Sequence, residues 1–235
     1  MEINIHNLKK KYGKNIVLDI PNLTFNTGEL IGIVGNNGAG KTTLMRLILD
    51  LISANDGEVR SDGKLVTITS DWKLYTGSYI DKSFLIDFYT AEEYFEFIAK
   101  AYGIDSPTLS ERLEIFKPLM RDDILGKKKY LHDFSEGNRQ KIGIIGAMLI
   151  QPKVLILDEP FNYLDPSSQI IIAKLIQKFN KEQNATVLIS SHNLNFISEI
   201  SSRIILLEKG KIIKDIQNQG KLVEKEIEDY FQEIN

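Results

Sequence analysis

The pattern of apolar and polar residues divides the chain into three parts. In the first 70 residues, short apolar runs partly alternate with polar positions and end at turn sequences, which predicts β-strands. Residues 30–34 are apolar apart from one glycine, as in a strand buried on both faces, and a helical stretch from Lys41 to Leu51 follows. These residues are expected to form an antiparallel β layer beside the start of a strand–loop–helix unit.

The second part, from about residue 79 to residue 150, is mostly helical in pattern. Thr90 is placed to begin one helix through a capping box with the glutamate three residues later. Residues 111–119 favour a second helix, and Ser135 is placed to cap a third. We expect this segment to be a helical subdomain inserted into the fold.

The last part alternates strands with helices. Apolar runs at residues 154–157, 186–190 and 203–207 predict buried strands, and Asp165 followed by Pro166 predicts a helix start. Strands that alternate with helices imply a mostly parallel sheet. The predicted fold class is therefore α/β, with a mostly parallel core sheet, an N-terminal antiparallel β layer and an inserted helical subdomain.

The composition excludes several kinds of function. Cysteine is absent, which excludes disulfides and thiolate sites, and three histidines disfavour a histidine-rich zinc site. With 29 lysines and arginines against 32 aspartates and glutamates, the net charge of −3 leaves no basic surplus for a nucleic-acid partner. No signal-peptide pattern is present, and the longest apolar stretch, residues 142–150, is far shorter than the roughly 20 residues that span a bilayer. We expect a soluble, cytosolic chain that can still lie against a membrane.

A phosphate-binding loop is predicted between the first buried strand and the helix that follows it. Residues 35–42 match the pattern G-x-x-x-x-G-K-[ST] in full, in the strand–loop–helix context that the pattern requires. Glycines let backbone N–H groups turn towards phosphate oxygens, and the helix N-terminus adds partial positive charge. Lys41 is expected to reach the β- and γ-phosphates, and the Thr42 hydroxyl to hold Mg²⁺. The predicted nucleotide site consists of Gly35, Asn36, Asn37, Gly38, Ala39, Gly40, Lys41, Thr42 and Thr43.

Two adjacent carboxylates are predicted at the end of the strand at residues 154–157. Open α/β sheets bind ligands at the carboxyl ends of their strands, which is where Asp158 and Glu159 follow. We expect Asp158 to hold Mg²⁺, usually through water, and Glu159 to accept a proton from the attacking water or orient it.

The segment from Phe134 to Gln140 indicates which class of phosphate-loop enzyme the chain resembles. Its sequence, F-S-E-G-N-R-Q, resembles the L-S-G-G-Q-[RK]-Q signature of ATP-binding cassette (ABC) ATPases, and it precedes the strand that carries the acidic pair, as in that family. Residues 162–165 resemble the D-loop, and His192 follows a strand where the family has its switch histidine. The order and spacing of these motifs resemble the family from about residue 2 to residue 213.

The resemblance implies a single ABC ATPase domain over residues 1–235 with a phosphate-loop NTPase core. Residues 1–78 and 151–213 would form the nucleotide-binding core, residues 79–150 the helical signature subdomain, and residues 214–235 a short helical tail. The cofactors would be ATP and Mg²⁺, with Lys41, Glu159 and His192 as catalytic groups. In the family's head-to-tail dimer, the signature faces the ATP of the partner. The residues implied for the remaining contacts are Tyr12 on adenine, Ser135, Glu136, Gly137 and Asn138 on the partner's ATP, and Asp165 in the D-loop.

Three positions depart from the family pattern. Glu136 replaces the first signature glycine, and Asn138 replaces the signature glutamine. Asp81 stands where the family's Q-loop usually has a glutamine that contacts Mg²⁺ and the attacking water. Because an acidic residue can still ligate a hard cation, Asp81 is a further candidate metal ligand.

The resemblance implies the energy-coupling subunit of a membrane transporter, most like the compact exporter type. Its partners would be a transmembrane subunit and a second ATPase chain, identical or related, at the cytoplasmic face of the cell membrane, with no nucleic acid. An importer ATPase is one alternative. A soluble ABC ATPase that acts on DNA or ribosomes is another, although such proteins commonly carry two cassettes or long coiled-coil insertions. The transported substrate is not encoded in these motifs.

Overall fold

The structure is a computed structural model that describes residues 1–218, apart from the side chain of Asn195. Within these residues the strands form two sheets, one of four strands and one of six. The four-stranded sheet has the order β2-β1-β4-β5 and is antiparallel, which confirms the predicted N-terminal β layer. Its strands are β1 (Ile3–Tyr12), β2 (Asn15–Phe25), β4 (Asp56–Ser61) and β5 (Lys64–Leu65).

The six-stranded sheet has the order β10-β9-β3-β8-β7-β6. All neighbouring pairs are parallel except β9 and β10, so the predicted parallel core carries one antiparallel edge strand. Its strands are β3 (Leu30–Val34), β6 (Thr76–Tyr79), β7 (Val154–Leu157), β8 (Thr186–Ser191), β9 (Arg203–Glu208) and β10 (Lys211–Gln217).

The predicted helix starts are confirmed where a capping residue marks them. Thr90 makes both hydrogen bonds of a capping box, and the side chains of Ser135 and Asp165 accept hydrogen bonds from backbone N–H groups of the helices that follow. The helices are α1 (Lys41–Ile48), α2 (Ala91–Ala101), α3 (Ser106–Ile115), α4 (Lys117–Met120), α5 (Glu136–Leu149), α6 (Pro166–Gln183) and α7 (Leu194–Ile200).

The large sheet has a hydrophobic layer on each face, because successive side chains of a strand point to opposite sides. In β3, Ile31 and Ile33 pack in the layer shared with α1 and the antiparallel sheet. Leu30 and Val34 pack in the layer shared with α5, α6 and α7. Strands covered on both sides explain the continuously apolar runs of the sequence.

Three predicted boundaries differ from the structure. The helix predicted at residues 111–119 is two helices, and the first begins earlier because Asp105 caps it. Residues 76–79 form the edge strand β6, which the sequence pattern did not indicate. Residues 214–217, assigned to the helical tail, instead continue β10, where Asp215 forms two hydrogen bonds with Arg203 of β9. The remainder of the predicted helical tail, residues 219–235, lies outside the described residues. None of the helices described within residues 1–218 combines the length and the apolar character that a bilayer span requires.

Candidate ATPase site

The parallel sheet brings four sequence motifs to one edge. In the register of the paired strands, Val34 lies opposite Ser191, and Leu157 lies opposite both Ile189 and Tyr79. The segments that follow these strands therefore leave the sheet side by side. They are the phosphate loop, the acidic pair, His192 and the segment that contains Asp81.

The phosphate loop curls over the start of α1. Gly40 is the residue before the helix and has φ 108°, a left-handed conformation that a side chain would strain. The Ala39 N–H donates to the Asn36 carbonyl at 3.0 Å, which closes the loop. The side chains of Asn36 and Asn37 are exposed, whereas Lys41 is only 6% exposed. Thr42 and Thr43, on the first turn of α1, are half-buried.

The Lys41 ammonium lies inside the loop. Its Nζ donates to the Gly35 carbonyl at 2.6 Å and to the Asn36 carbonyl at 3.4 Å. It also forms an ion pair with Glu159 Oε1 at 3.3 Å. A buried cation is therefore compensated by loop carbonyls and by the second residue of the acidic pair.

The Asp158 carboxylate is buried between two hydroxyl donors. Thr42 Oγ1 donates to one carboxylate oxygen at 2.5 Å, and Ser190 Oγ donates to the other. Burial raises the pKa of Asp158 despite these hydrogen bonds, so its anionic form is under-compensated by the protein. A hydroxyl and an under-compensated carboxylate are oxygen ligands of the kind that Mg²⁺ prefers. Among the described residues, no group of three or more His, Asp or Glu side chains is placed to hold a metal ion.

The Glu159 carboxylate bridges two motifs. One oxygen contacts Lys41, and the other lies 2.9 Å from His192 Nδ1 and accepts from the His192 backbone N–H at 3.4 Å. Glu159 itself has φ 46°, an uncommon conformation for a residue with a long side chain.

Two residues that the sequence did not single out hold Glu159 in this conformation. The Glu159 N–H donates to Ser190 Oγ at 2.9 Å, and Gln140 Nε2 donates to the Glu159 carbonyl at 3.0 Å. Ser190 thus contacts both members of the acidic pair. Gln140 is the last residue of the signature-like segment, so its position was a signal for this role, whereas a serine within a buried strand gave none.

The signature-like segment forms the start of α5. Ser135 Oγ accepts from the Asn138 N–H at 3.3 Å and caps the helix. Glu136 forms an ion pair with Lys82 at 2.5 Å. Gly137 allows close packing, because a Cβ there would lie 2.6 Å from the Tyr163 carbonyl oxygen.

The Asp81 carboxylate is held within its own segment. One oxygen accepts from the backbone N–H and the hydroxyl of Ser83, and the other from Arg46 Nη2 at 3.1 Å. Burial opposes ionisation of Asp81, but the hydrogen bonds from Ser83 and Arg46 outweigh it and lower its pKa. Asp81 also lines one cavity with Asp158 and Glu159, so it lies beside the predicted metal site while its carboxylate is bound to other groups.

Two predicted site residues remain, Asp165 at the start of α6 and Tyr12 at the end of β1. Asp165 caps α6, and hydrogen bonds from the Ser167 hydroxyl and from the hydroxyl and backbone N–H of Ser168 hold the pKa of its carboxyl well below the usual range. Tyr12 ends β1 with its ring about half exposed and with Lys10 Nζ 5.0 Å from the ring centroid. An exposed ring at a strand end is available for stacking on a base.

Comparison with known proteins decides the family. The family model for the ABC transporter matches residues 18–162, which is more than half of the chain. The chain belongs to the ABC transporter ATPase family. It is therefore an ATP-binding, ATP-hydrolysing subunit of a membrane transporter.

Relatives of this ABC ATPase serve different transport systems. It is 33% identical to the tungstate uptake system ATP-binding protein TupC of Peptoclostridium acidaminophilum, over 90% of this chain and 97% of that protein. It is also 33% identical to the bacitracin transport ATP-binding protein BcrA of Enterococcus faecalis, over 91% of this chain and 68% of that protein. The lantibiotic transport ATP-binding protein SrtF of Streptococcus pyogenes is 31% identical, over 93% and 92%.

Solved ABC cassettes share the fold. The ATP-binding subunit of an ABC transporter superposes with a TM-score of 0.84 at 23% identity, covering 97% of this chain and 99% of that one. A bacterial ABC transporter cassette solved as a dimer has a TM-score of 0.81 at 25% identity, over 93% and 99%. The same cassette has been solved in a post-hydrolysis state bound to ADP and phosphate.

Proposed function

We propose that this ABC ATPase binds two Mg-ATP molecules between two chains arranged head to tail and drives export through a separate transmembrane subunit. The second chain is a second copy or a related ATPase, and the assembly lies at the cytoplasmic face of the cell membrane. The observation that carries the catalytic part is the Glu159 carboxylate, which contacts Lys41 through one oxygen and His192 through the other.

In this proposal each residue at the sheet edge has one task. The phosphate loop binds the ATP phosphates through its backbone N–H groups, and Lys41 donates to them. Thr42 and Asp158 hold Mg²⁺, which neutralises phosphate charge when bound. Glu159 orients the attacking water and accepts its proton, and His192, already hydrogen-bonded to Glu159, contacts the γ-phosphate.

The dimer completes the site. One chain supplies one phosphate loop and one signature segment, and the similar cassette solved as a dimer supports pairing of two chains. The signature segment, with Ser135 at the start of α5, supplies hydrogen-bond donors and partial positive charge to the partner's γ-phosphate. ATP favours the closed dimer because it contacts both chains only in that state, and hydrolysis reopens it.

An exposed aromatic patch supports a protein partner. Phe88 is 75% exposed and lies against the rings of Tyr130 and His132, with centroids 6.5 and 5.4 Å away. Apolar rings grouped on a surface are typical of an interaction site. We assign this patch to the transmembrane subunit.

The bacitracin and lantibiotic transport relatives favour export, and the tungstate uptake relative favours the second candidate, an importer ATPase. A soluble role on DNA or ribosomes has less support, because these relatives are transport proteins and the net charge is −3.

The direction of transport is tested in a host strain in which this chain carries Glu159→Gln. Export predicts greater sensitivity to bacitracin or to lantibiotics, whereas loss of tungstate accumulation alone would contradict export and support import.

The catalytic assignment has its own test in the purified chain. Glu159→Gln removes the proton acceptor but keeps the size of the side chain, so turnover should fall by about 10²–10⁴-fold while ATP still binds. Phosphate release and ATP binding are measured in parallel, with Lys41→Ala as the control that weakens binding itself. Unchanged turnover in Glu159→Gln would exclude Glu159 as the base.

A further inference from the structure

The cavity beside the acidic pair carries an excess of negative charge. It has a volume of about 240 Å³ and lies between the Asp81 segment, the start of α5 and the residues that follow β7. Among the described residues that line it, four are carboxylates and one is a lysine, Lys82. The carboxylates are Asp81, Glu136, Asp158 and Glu159.

Glu136 is the carboxylate whose place is unexpected. It is the first residue of α5, next to the capping residue Ser135, where the family's signature has glycine. A carboxylate at a helix N-terminus stabilises the helix itself, but it also cancels the partial positive charge that a helix N-terminus offers to an anion. An uncompensated Glu136 would therefore repel a phosphate that approaches this helix.

Lys82 compensates Glu136 from a different part of the chain. Its Nζ donates to Glu136 Oε1 at 2.5 Å, although 54 residues separate the two positions. Lys82 is the first residue of a short 3₁₀ turn that Asp81 caps, and Arg46 on α1 fixes the Asp81 carboxylate. The turn that presents Lys82 is thus anchored to the helix that follows the phosphate loop.

We infer that Lys82 is a positioning residue that neutralises Glu136, so that the start of α5 can accept the γ-phosphate of the partner's ATP. The inference rests on the head-to-tail dimer of the proposed function and adds a residue to it. The segment that contains Asp81 then positions Lys82, in addition to lying beside the predicted metal site. In the closed dimer, each chain's Lys82 supports binding of the other chain's nucleotide.

Because the two charges are about half exposed, we expect the pair to matter little for folding and more for charge at the interface. Lys82→Ala should leave the unfolding midpoint and ATP binding by the monomer unchanged. It should weaken ATP-driven dimerisation about tenfold, which corresponds to about 1.4 kcal/mol.

The test compares ATP-driven dimerisation by sedimentation velocity in chains that all carry Glu159→Gln, so that ATP is not consumed. The variants are the parent, Lys82→Ala, Lys82→Arg, Glu136→Gly and the double variant Lys82→Ala with Glu136→Gly. We expect Lys82→Arg to dimerise like the parent, because it keeps the charge. The double variant should dimerise like Glu136→Gly, because without the carboxylate there is no charge left to neutralise.

The outcomes separate this inference from the proposed function. If the parent dimerises and Lys82→Ala dimerises equally well, Lys82 has no such role and the dimer stands. If Lys82→Ala is weaker to the same degree with and without Glu136, Lys82 acts on something other than Glu136, which also overturns the inference. If the parent does not dimerise with ATP, the proposed dimer fails and the inference fails with it.

Discussion

Ser190 contacts both members of the acidic pair, so its substitution should disturb the pair while both carboxylates are kept. It lies fully buried in β8, and its hydroxyl donates to Asp158 and accepts from the Glu159 N–H at 2.9 Å. Ser190→Ala removes both hydrogen bonds. Asp158 loses one of its two hydroxyl donors, and the Glu159 N–H loses its acceptor beside a backbone held at φ 46°.

The size of the effect follows from these two hydrogen bonds. A hydrogen bond to a charged group contributes roughly 1.5–3 kcal/mol and a neutral one about 1 kcal/mol, so Ser190→Ala should destabilise the fold by about 2–4 kcal/mol. For a chain of this length that lowers the unfolding midpoint by about 5–15 °C. Turnover should fall about tenfold or more, because small misplacements of a catalytic group are costly.

The assay is thermal unfolding together with phosphate release at saturating Mg-ATP. Ser201→Ala is the matched control, since the Ser201 hydroxyl is buried without a hydrogen-bond partner among the described residues. Because an unpartnered buried hydroxyl contributes no hydrogen bond, its loss should leave stability unchanged or raise it. If Ser190→Ala unfolds and turns over like Ser201→Ala, the hydrogen bonds of Ser190 do not hold the acidic pair.

Two further predictions concern packing and pH. Gly137→Ala would place a Cβ 2.6 Å from the Tyr163 carbonyl oxygen. We therefore expect the free energy of unfolding, measured in urea, to fall by about 1–3 kcal/mol. An unchanged free energy of unfolding would mean that α5 and the backbone at Tyr163 can move apart without cost. Burial raises the pKa of Tyr94 to about 12 from 10.0. Between these pH values the unfolded chain loses the Tyr94 proton while the folded chain keeps it. The free energy of unfolding therefore falls by about 3 kcal/mol as the pH rises through this range. Tyr94→Phe should lose less stability than wild type over that range in urea unfolding, and equal losses would refute the assignment.

The sequence predicted those parts of the site that local patterns determine. The phosphate loop needs only glycines, a lysine and a hydroxyl residue at fixed spacing after a buried strand, so Lys41 and Thr42 could be placed from residues 35–42. Helix starts at Thr90 and Asp165 were predictable because a capping side chain acts within three residues of its own position. These features depend on no contact distant in the chain.

Contacts between distant segments could not be predicted in the same way. Ser190 holds residues about 30 positions away, and Lys82 contacts Glu136 although 54 positions separate them. The strand at residues 76–79, Thr-Gly-Ser-Tyr, has no apolar run, and it is a strand because β7 pairs with it. Tertiary contacts override local preference at such positions.

The order of strands in the large sheet has a consequence for synthesis of the chain. β3, which leads into the phosphate loop, lies between β8 and β9, so its first sheet partner is made about 150 residues later. At the usual rate of about 5–20 residues per second, that interval lasts about 8–30 s. The β1–β2 hairpin can close at once, whereas the apolar residues of β3 emerge with both edges unpaired. Among the described strands of this sheet, β3 therefore waits longest for a partner, and its apolar edges stay open to wrong pairing until the C-terminal strands are made.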